Sequence, residues 1–239
     1  MLNMTLAARA LAKSALPALG AFMITTAANA QVTFTNANDT TGTMSFNGFV
    51  DQGATVIDGL TGDLSLTLVD NSDPTHWQFS YTLTNTSSSP ITASVITGFG
   101  FNADQTIDIA TSTIDSGLFT TFGSGQISQG PGFDVDLCVK SGPNDNNCAG
   151  GQGNSGLNLG DSATGTFTLE FASAIDTLTL GDFTLRYQGI AGPNGTPESA
   201  IGQRTDLPEP ASWAMMLLGF GATGFVIRRS RKQLVSQIA

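Results

Sequence analysis

Between Gln31 and Asp206 apolar and polar residues alternate in short runs, broken by clusters of Gly, Asn, Asp, Ser and Pro. Period-two alternation bounded by turn formers is the signature of strands with one face buried. Val32 and Phe34 open the series, and Met44 and Phe46 follow. Gly62-Asp63 precedes Leu64, Leu66 and Leu68; the cluster Asp70-Asn71-Ser72-Asp73-Pro74 then predicts a turn, and Trp77, Phe79, Tyr81 and Leu83 return as the second arm of a hairpin. Ile91 to Phe101 is apolar at most positions, which suits a strand buried on both faces or one that bends at Gly98 and Gly100. Residues 102–132 alternate poorly and read mostly as loop. Val135, Leu137 and Val139 alternate with Asp134, Asp136 and Cys138; Phe167, Leu169 and Phe171 form a further strand, and Leu178, Leu180, Phe183, Leu185 and Tyr187 the last two. No stretch between 31 and 206 has helical spacing. The predicted fold is all-β, an antiparallel β-sandwich with jelly-roll-like strand spacing, over residues 31–188. Residues 189–207 turn to Gly, Pro, Ser and Thr and predict a linker.

The two ends carry a different pattern. Arg9 and Lys13 precede an apolar run, Ala15 to Thr26, and Ala28-Asn29-Ala30 follows. That is the layout of a secretory signal over residues 1–30, cut between Ala30 and Gln31. At the other end, Pro208-Glu209-Pro210 is followed by 17 uncharged residues, 211–227, and then by the basic stop 228–232. A helix of that length reaches roughly 25 Å, close to the thickness of a bilayer core. Arg228, Arg229, Arg231 and Lys232 predict a cytoplasmic end, with the rest of the chain on the far side. The prolines force an extended chain outside the span, open to a processing enzyme. From these features alone, a plain single-pass anchor is an equal reading.

The residues Pro208, Glu209, Pro210, Trp213, Ala214, Met215, Met216, Gly219, Phe220, Gly221 and Gly224, with the arginines after them, closely resemble the PEP-CTERM sorting signal of Gram-negative bacteria. The resemblance covers residues 208–232. It implies recognition by exosortase, a membrane protease, with cutting at Pro-Glu-Pro. It also implies a link to exopolysaccharide and biofilm. The stretches Phe99-Gly100-Phe101-Asn102, Leu137-Cys138, Cys148-Ala149-Gly150-Gly151 and Gly160 to Leu169 are similar to the cistern group of such proteins, which brings no activity with it.

Charge and cysteine content narrow the partners. Of nine Lys and Arg residues only Lys140, Arg186 and Arg204 lie in 31–208, and of 19 acidic residues only Glu209 lies outside it, so this region carries −15. Such a surface excludes nucleic acid and repels anionic membrane. Cys138 and Cys148 are the only cysteines, and in an exported chain they predict a disulfide worth roughly 2–3 kcal/mol. A zinc site would need further ligands, and the one histidine, His76, is distant in sequence.

Catalytic sets are sparse. Gly160-Asp161-Ser162-Ala163-Thr164 begins like a nucleophile elbow but ends in Thr and lacks the strand-turn-helix setting. Gly150-Gly151-Gln152-Gly153 lacks the lysine of a phosphate loop. Asp134 with Asp136, or Asp70 with Asp73, are the carboxylate pairs a glycosidase would need; the first pair reads better as a polar strand face opposite Val135 and Leu137. The oxygen-rich turns Asn144-Asp145-Asn146-Asn147 and Asp70-Asn71-Ser72-Asp73 are weak calcium candidates. Asn38, Asn85 and Asn194 head glycosylation triplets, which mean little for a bacterial chain. Trp77 and Tyr81 are a candidate glycan platform, although their shared register with Phe79 and Leu83 favours the core. The expectation is therefore a non-catalytic, cofactor-free surface or matrix protein, exported, anchored by its C-terminus before processing and associated with exopolysaccharide. The alternatives are a surface polysaccharide hydrolase and a calcium-dependent glycan-binding module.

Overall fold

The structure, a computed structural model, describes residues 31–35, 40–50, 55–127, 134–142, 147–149, 155–193, 196–205 and 220. The signal segment 1–30 and, apart from Phe220, the span 211–227 lie outside the described residues. The regular elements are strands: β1 (Val32–Thr35), β2 (Thr41–Val50), β3 (Thr55–Asp73), β4 (His76–Thr84), β5 (Ala93–Ala103), β6 (Thr113–Ser116), β7 (Thr121–Gln126), β8 (Asp134–Lys140), β9 (Leu157–Asn158), β10 (Ser162–Glu170), β11 (Thr177–Ala191) and β12 (Ser199–Arg204). The strand pairings are antiparallel, as the alternation predicts. The hairpin read from the leucines is present in register, with Leu64 opposite Leu83, Leu66 opposite Tyr81 and Leu68 opposite Phe79.

The architecture is not two separate sheets. One continuous sheet runs β6-β10-β4-β3-β2-β12-β11-β5-β8-β7 and folds over on itself. Its two ends, β6 and β7, are neighbours in sequence, and four residues, 117–120, join them. A chain that short spans no more than about 14 Å between its ends, so the sheet nearly closes. Phe119 fills the seam, with its ring 6.2 Å from that of Tyr81 and 6.3 Å from that of Phe99. Near-closure leaves two short edges in place of the four that a sandwich of two sheets would carry.

The expected linker 189–207 contains β12. That strand lies inside the sheet, with Ile201 opposite both Arg186 of β11 and Phe49 of β2. Ala200 and Ile201 are buried. The strand was hard to see because its apolar content is two residues in a run rich in Gly and Ser; its stability comes from ladders on both sides. Residues 102–132 likewise hold β6, β7 and a single bridge between Ile107 and Phe171.

The core is aromatic and lies between the two halves of the sheet. Phe167 is central, with Phe79 at 5.6 Å, Phe122 at 6.1 Å, Tyr81 at 6.3 Å and Phe99 at 6.4 Å. β5 is buried on both faces, as its composition predicts. A bulge explains how: Arg186 pairs with Gly98 and Tyr187 with Ile96, so Thr97 is the extra residue. Ile96 and Phe99, three apart, therefore both reach the core. A second bulge shifts β8, because Gly123 pairs with Cys138 but Gly125 with Val135. Val135 consequently leaves the face of Leu137, contrary to the alternation, and joins Ile127, Cys138, Cys148 and Ile201 in a small outer cluster.

Candidate functional site

The two outward faces of the sheet differ. On β5, β8, β11 and β12 much of the outward face is buried: Thr97, Cys138, Lys140, Thr184, Arg186 and Ile201 are each no more than 5% exposed. Part of the cover is Ile127, whose carbonyl accepts a hydrogen bond of 2.6 Å from Nη1 of Arg186. Burial draws down the pKa of that guanidinium. The disulfide lies in the same cover. Cys138 and Cys148 are bonded, with Cα atoms 5.9 Å apart, as their pairing in the sequence predicts. The opposite outward face, on β2, β3, β4 and β10, is open and polar.

Of the carboxylate pairs, Asp70, Asp73 and Asp136 have structural roles, whereas Asp134 is exposed at the start of β8. Asp136 accepts the amide of Ala103 at 2.9 Å, and its own amide donates to Asn102 Oδ1 at 2.9 Å, which clamps β8 to the end of β5. Asp70 accepts the amide of Ser72 at 2.9 Å. Asp73 accepts the amide and hydroxyl of Thr75 at 2.9 and 2.7 Å. These backbone hydrogen bonds hold both turn carboxyls below the ordinary aspartate range. A glycosidase acid needs the opposite shift, a pKa raised by burial.

His76 stands on the surface at the start of β4. Its Nδ1 is 3.1 Å from Asp73 Oδ2 and its Nε2 is 3.5 Å from Glu170 Oε2. Glu170 is the residue paired with His76 on β10, so the imidazole ties the β3–β4 turn to the end of β10. The sequence sets His76 beside Trp77 at the start of a strand; Glu170, 94 positions away, is brought to it only by the register.

Ser162 begins a strand and lies opposite Thr84, with the two hydroxyl oxygens 3.0 Å apart. The turn before it has Gly160 at φ 84°, a left-handed position that suits glycine. This is a loop-to-strand junction and not a nucleophile elbow. Trp77 and Tyr81 are buried in the core, Trp77 edge-on to Phe171 at 6.4 Å, so they form no exposed platform. Asn71, expected in an oxygen-rich turn, is buried in the irregular end of β3, with Nδ2 3.5 Å from the Thr35 carbonyl. Among the described residues no group of three His, Cys, Asp or Glu side chains is placed to hold a metal ion. Residues 144–146 of the other oxygen-rich turn lie outside the described residues, as do residues 150–153.

Asn85, which in the sequence only heads a glycosylation triplet, is a structural residue. It is fully buried, and its amide donates to the Ser94 carbonyl, the Ser94 hydroxyl and the Leu157 carbonyl at 3.1–3.2 Å. Its Oδ1 accepts from the Ser87 amide and the Ser94 hydroxyl. It holds the β4–β5 connection against β9 and is closed to glycosylation.

The sorting residues Pro208, Glu209, Pro210, Trp213, Met215, Met216, Gly219, Arg228 and Arg229, and the cleavage residue Ala30, lie outside the described residues; Gln31 is the first residue described. Residues 206–232 match the family model described as the PEP-CTERM protein-sorting motif. The motif implies export and sorting by exosortase to the cell surface. No curated protein and no solved structure matches the chain.

Proposed function

We propose that this chain is a non-catalytic surface or matrix protein, exported with a signal peptide over 1–30, held by a transmembrane helix over 211–227 and released from that anchor by exosortase. The observation that carries the reading is the match of residues 206–232 to the sorting motif. Exosortase is the processing partner, and exopolysaccharide is the matrix with which the domain associates. Within this reading we assign the chain to the cistern group, on the resemblance of the stretches around Cys138 and Cys148. The non-catalytic role is favoured by the engagement of Asp70, Asp73 and Asp136 in turns and strand clamps. The −15 charge of residues 31–208 suits a solubilising surface that avoids anionic polymers.

Mass spectrometry of the cell-surface form tests this reading. The expected mature protein starts at Gln31 and ends near Pro208 to Pro210. Recovery of an intact peptide spanning Trp213 to Ile227 from that form would refute processing. An N-terminus upstream of Ala30 would refute the signal peptide.

A further inference from the structure

Three rows of side chains cross the open face of β2, β3, β4 and β10, at right angles to the strands. The middle row is Thr43, Ser65, Thr82 and Thr164, each opposite the next in register. The row on one side is Thr41, Thr67, Ser80 and Thr166; the row on the other is Ser45, Asp63, Thr84 and Ser162. Eleven of these twelve positions are Ser or Thr, and only Asp63 carries charge. All twelve are exposed or partly exposed. Neighbouring strands lie about 4.8 Å apart and successive outward residues about 6.8 Å apart, so the face is a grid of hydroxyls.

The outer rows bond partly within themselves. Thr41 and Thr67 hydroxyls are 2.8 Å apart, and those of Thr84 and Ser162 are 3.0 Å apart. In the middle row none of the four hydroxyls has a hydrogen bond to the protein among the described residues, so each has a donor and acceptors available. Threonine is stiff at χ1, and ordering it on binding costs little entropy. A patch without charge in its middle row, on a region carrying −15, neither attracts cations strongly nor admits a polyanion. What fits it is a ligand that is neutral, extended and dense in hydroxyls.

We propose that this face of β2, β3, β4 and β10 docks a neutral polysaccharide chain laid along the middle hydroxyl row. The proposal rests on the reading of the chain as a matrix protein and supplies the surface and ligand class which that reading lacks. The ligand hydroxyls exchange hydrogen bonds with Thr43, Ser65, Thr82 and Thr164, and polymers bearing carboxylate or sulfate are rejected by Asp63 and the −15 charge of residues 31–208. Many weak contacts along one chain give retention through multivalency and not through a deep pocket.

The test is affinity electrophoresis of the full chain in mild detergent, through gels containing hydroxyethylcellulose, dextran or alginate. The expected result is retardation by at least one neutral polymer and none by alginate. The variant T82V/T164V keeps β-branched shape and removes two central hydroxyls; it should weaken retardation at least fivefold. T82S/T164S restores the hydroxyls and should be retarded like the parent. T33V/T179V, which alters an exposed hydroxyl pair elsewhere, should also behave like the parent. Mobility unchanged in both neutral gels, equal retardation by alginate, or full retention in T82V/T164V would each overturn the proposal. Melting temperatures within about two degrees of the parent exclude misfolding as the cause. A protein processed at its tail but not retarded sinks this surface alone; one retarded but unprocessed sinks the sorting reading alone.

Discussion

Ending the chain before β12 should abolish folding, whereas ending it after Thr205 should not. β12 contributes five registered pairs with β11 and four with β2. An antiparallel ladder supplies about one backbone hydrogen bond per pair. At roughly 1 kcal/mol net for each, the two ladders are worth on the order of 9 kcal/mol. Burial of Ile201 adds about 2 kcal/mol. The total is comparable with the whole stability of an ordinary domain, about 5–15 kcal/mol. Loss of β12 also leaves β2 and β11 as new open edges, prone to association. The assay compares residues 31–198 with residues 31–205, each exported and purified, by circular dichroism, thermal melting and limited proteolysis. The longer chain should melt cooperatively; the shorter should be degraded or aggregate. A shorter chain that melts cooperatively within a few degrees of the longer one would refute the reasoning and return 189–207 to the status of a linker. The consequence for processing is a boundary: only three residues separate Arg204 from Pro208, and a cut upstream of Thr205 would remove part of the fold.

The other predictions concern single positions. Phe167→Ala empties the centre of the aromatic cluster and should cost about 3–5 kcal/mol, read as a fall in denaturant midpoint; a loss below about 1 kcal/mol would contradict its central packing. Serine at both Cys138 and Cys148 should lower stability by roughly 2–3 kcal/mol, and a melting temperature equal in oxidised parent and variant would show that the bridge adds nothing. The Tyr187 hydroxyl is buried without a hydrogen-bond partner among the described residues, and burial pushes its pKa far up. Tyr187→Phe should therefore be neutral or stabilising by up to about 1 kcal/mol, and a clear destabilisation in thermal melts would reveal a partner for that oxygen. The Asp73 carboxyl is held below its ordinary value by the Thr75 amide. Its contribution is complete above the ordinary aspartate pKa, about 4, and is lost as pH falls through the lower folded value. Asp73→Asn should flatten the drop in melting temperature between about pH 5 and pH 2; an identical pH profile would remove Asp73 from the acid response.

Local pattern and tertiary register contributed different parts of this picture. The leucines of β3 and aromatics of β4 announce their strands because every second residue is large and apolar; the turn expected at Asp70–Pro74 is shorter, since β3 runs on to Asp73 through irregular pairs and only Pro74 and Thr75 connect the two strands. The disulfide was legible because an exported chain with two cysteines has one pairing to make. The sorting tail was legible because linear motifs are read as sequence. The hydroxyl grid was half visible: Thr and Ser recur between the core positions, but rows form only when Thr82 of β4 meets Ser65 of β3 and Thr164 of β10.

What the sequence by itself determined is therefore the β class, the inward set of side chains on β2, β3, β4, β10 and β11, the bridge between Cys138 and Cys148, and the motif at 206–232. These depend on neighbours within a few residues or on composition. Only the tertiary structure decided that one sheet folds over and nearly closes, that β12 is an interior strand, that bulges at Thr97 and in β8 swap faces, and that Glu170 reaches His76. Each of these rests on pairing between residues far apart in the chain. A short strand such as Ser199–Arg204, with little apolar content of its own, is specified by the two ladders that receive it.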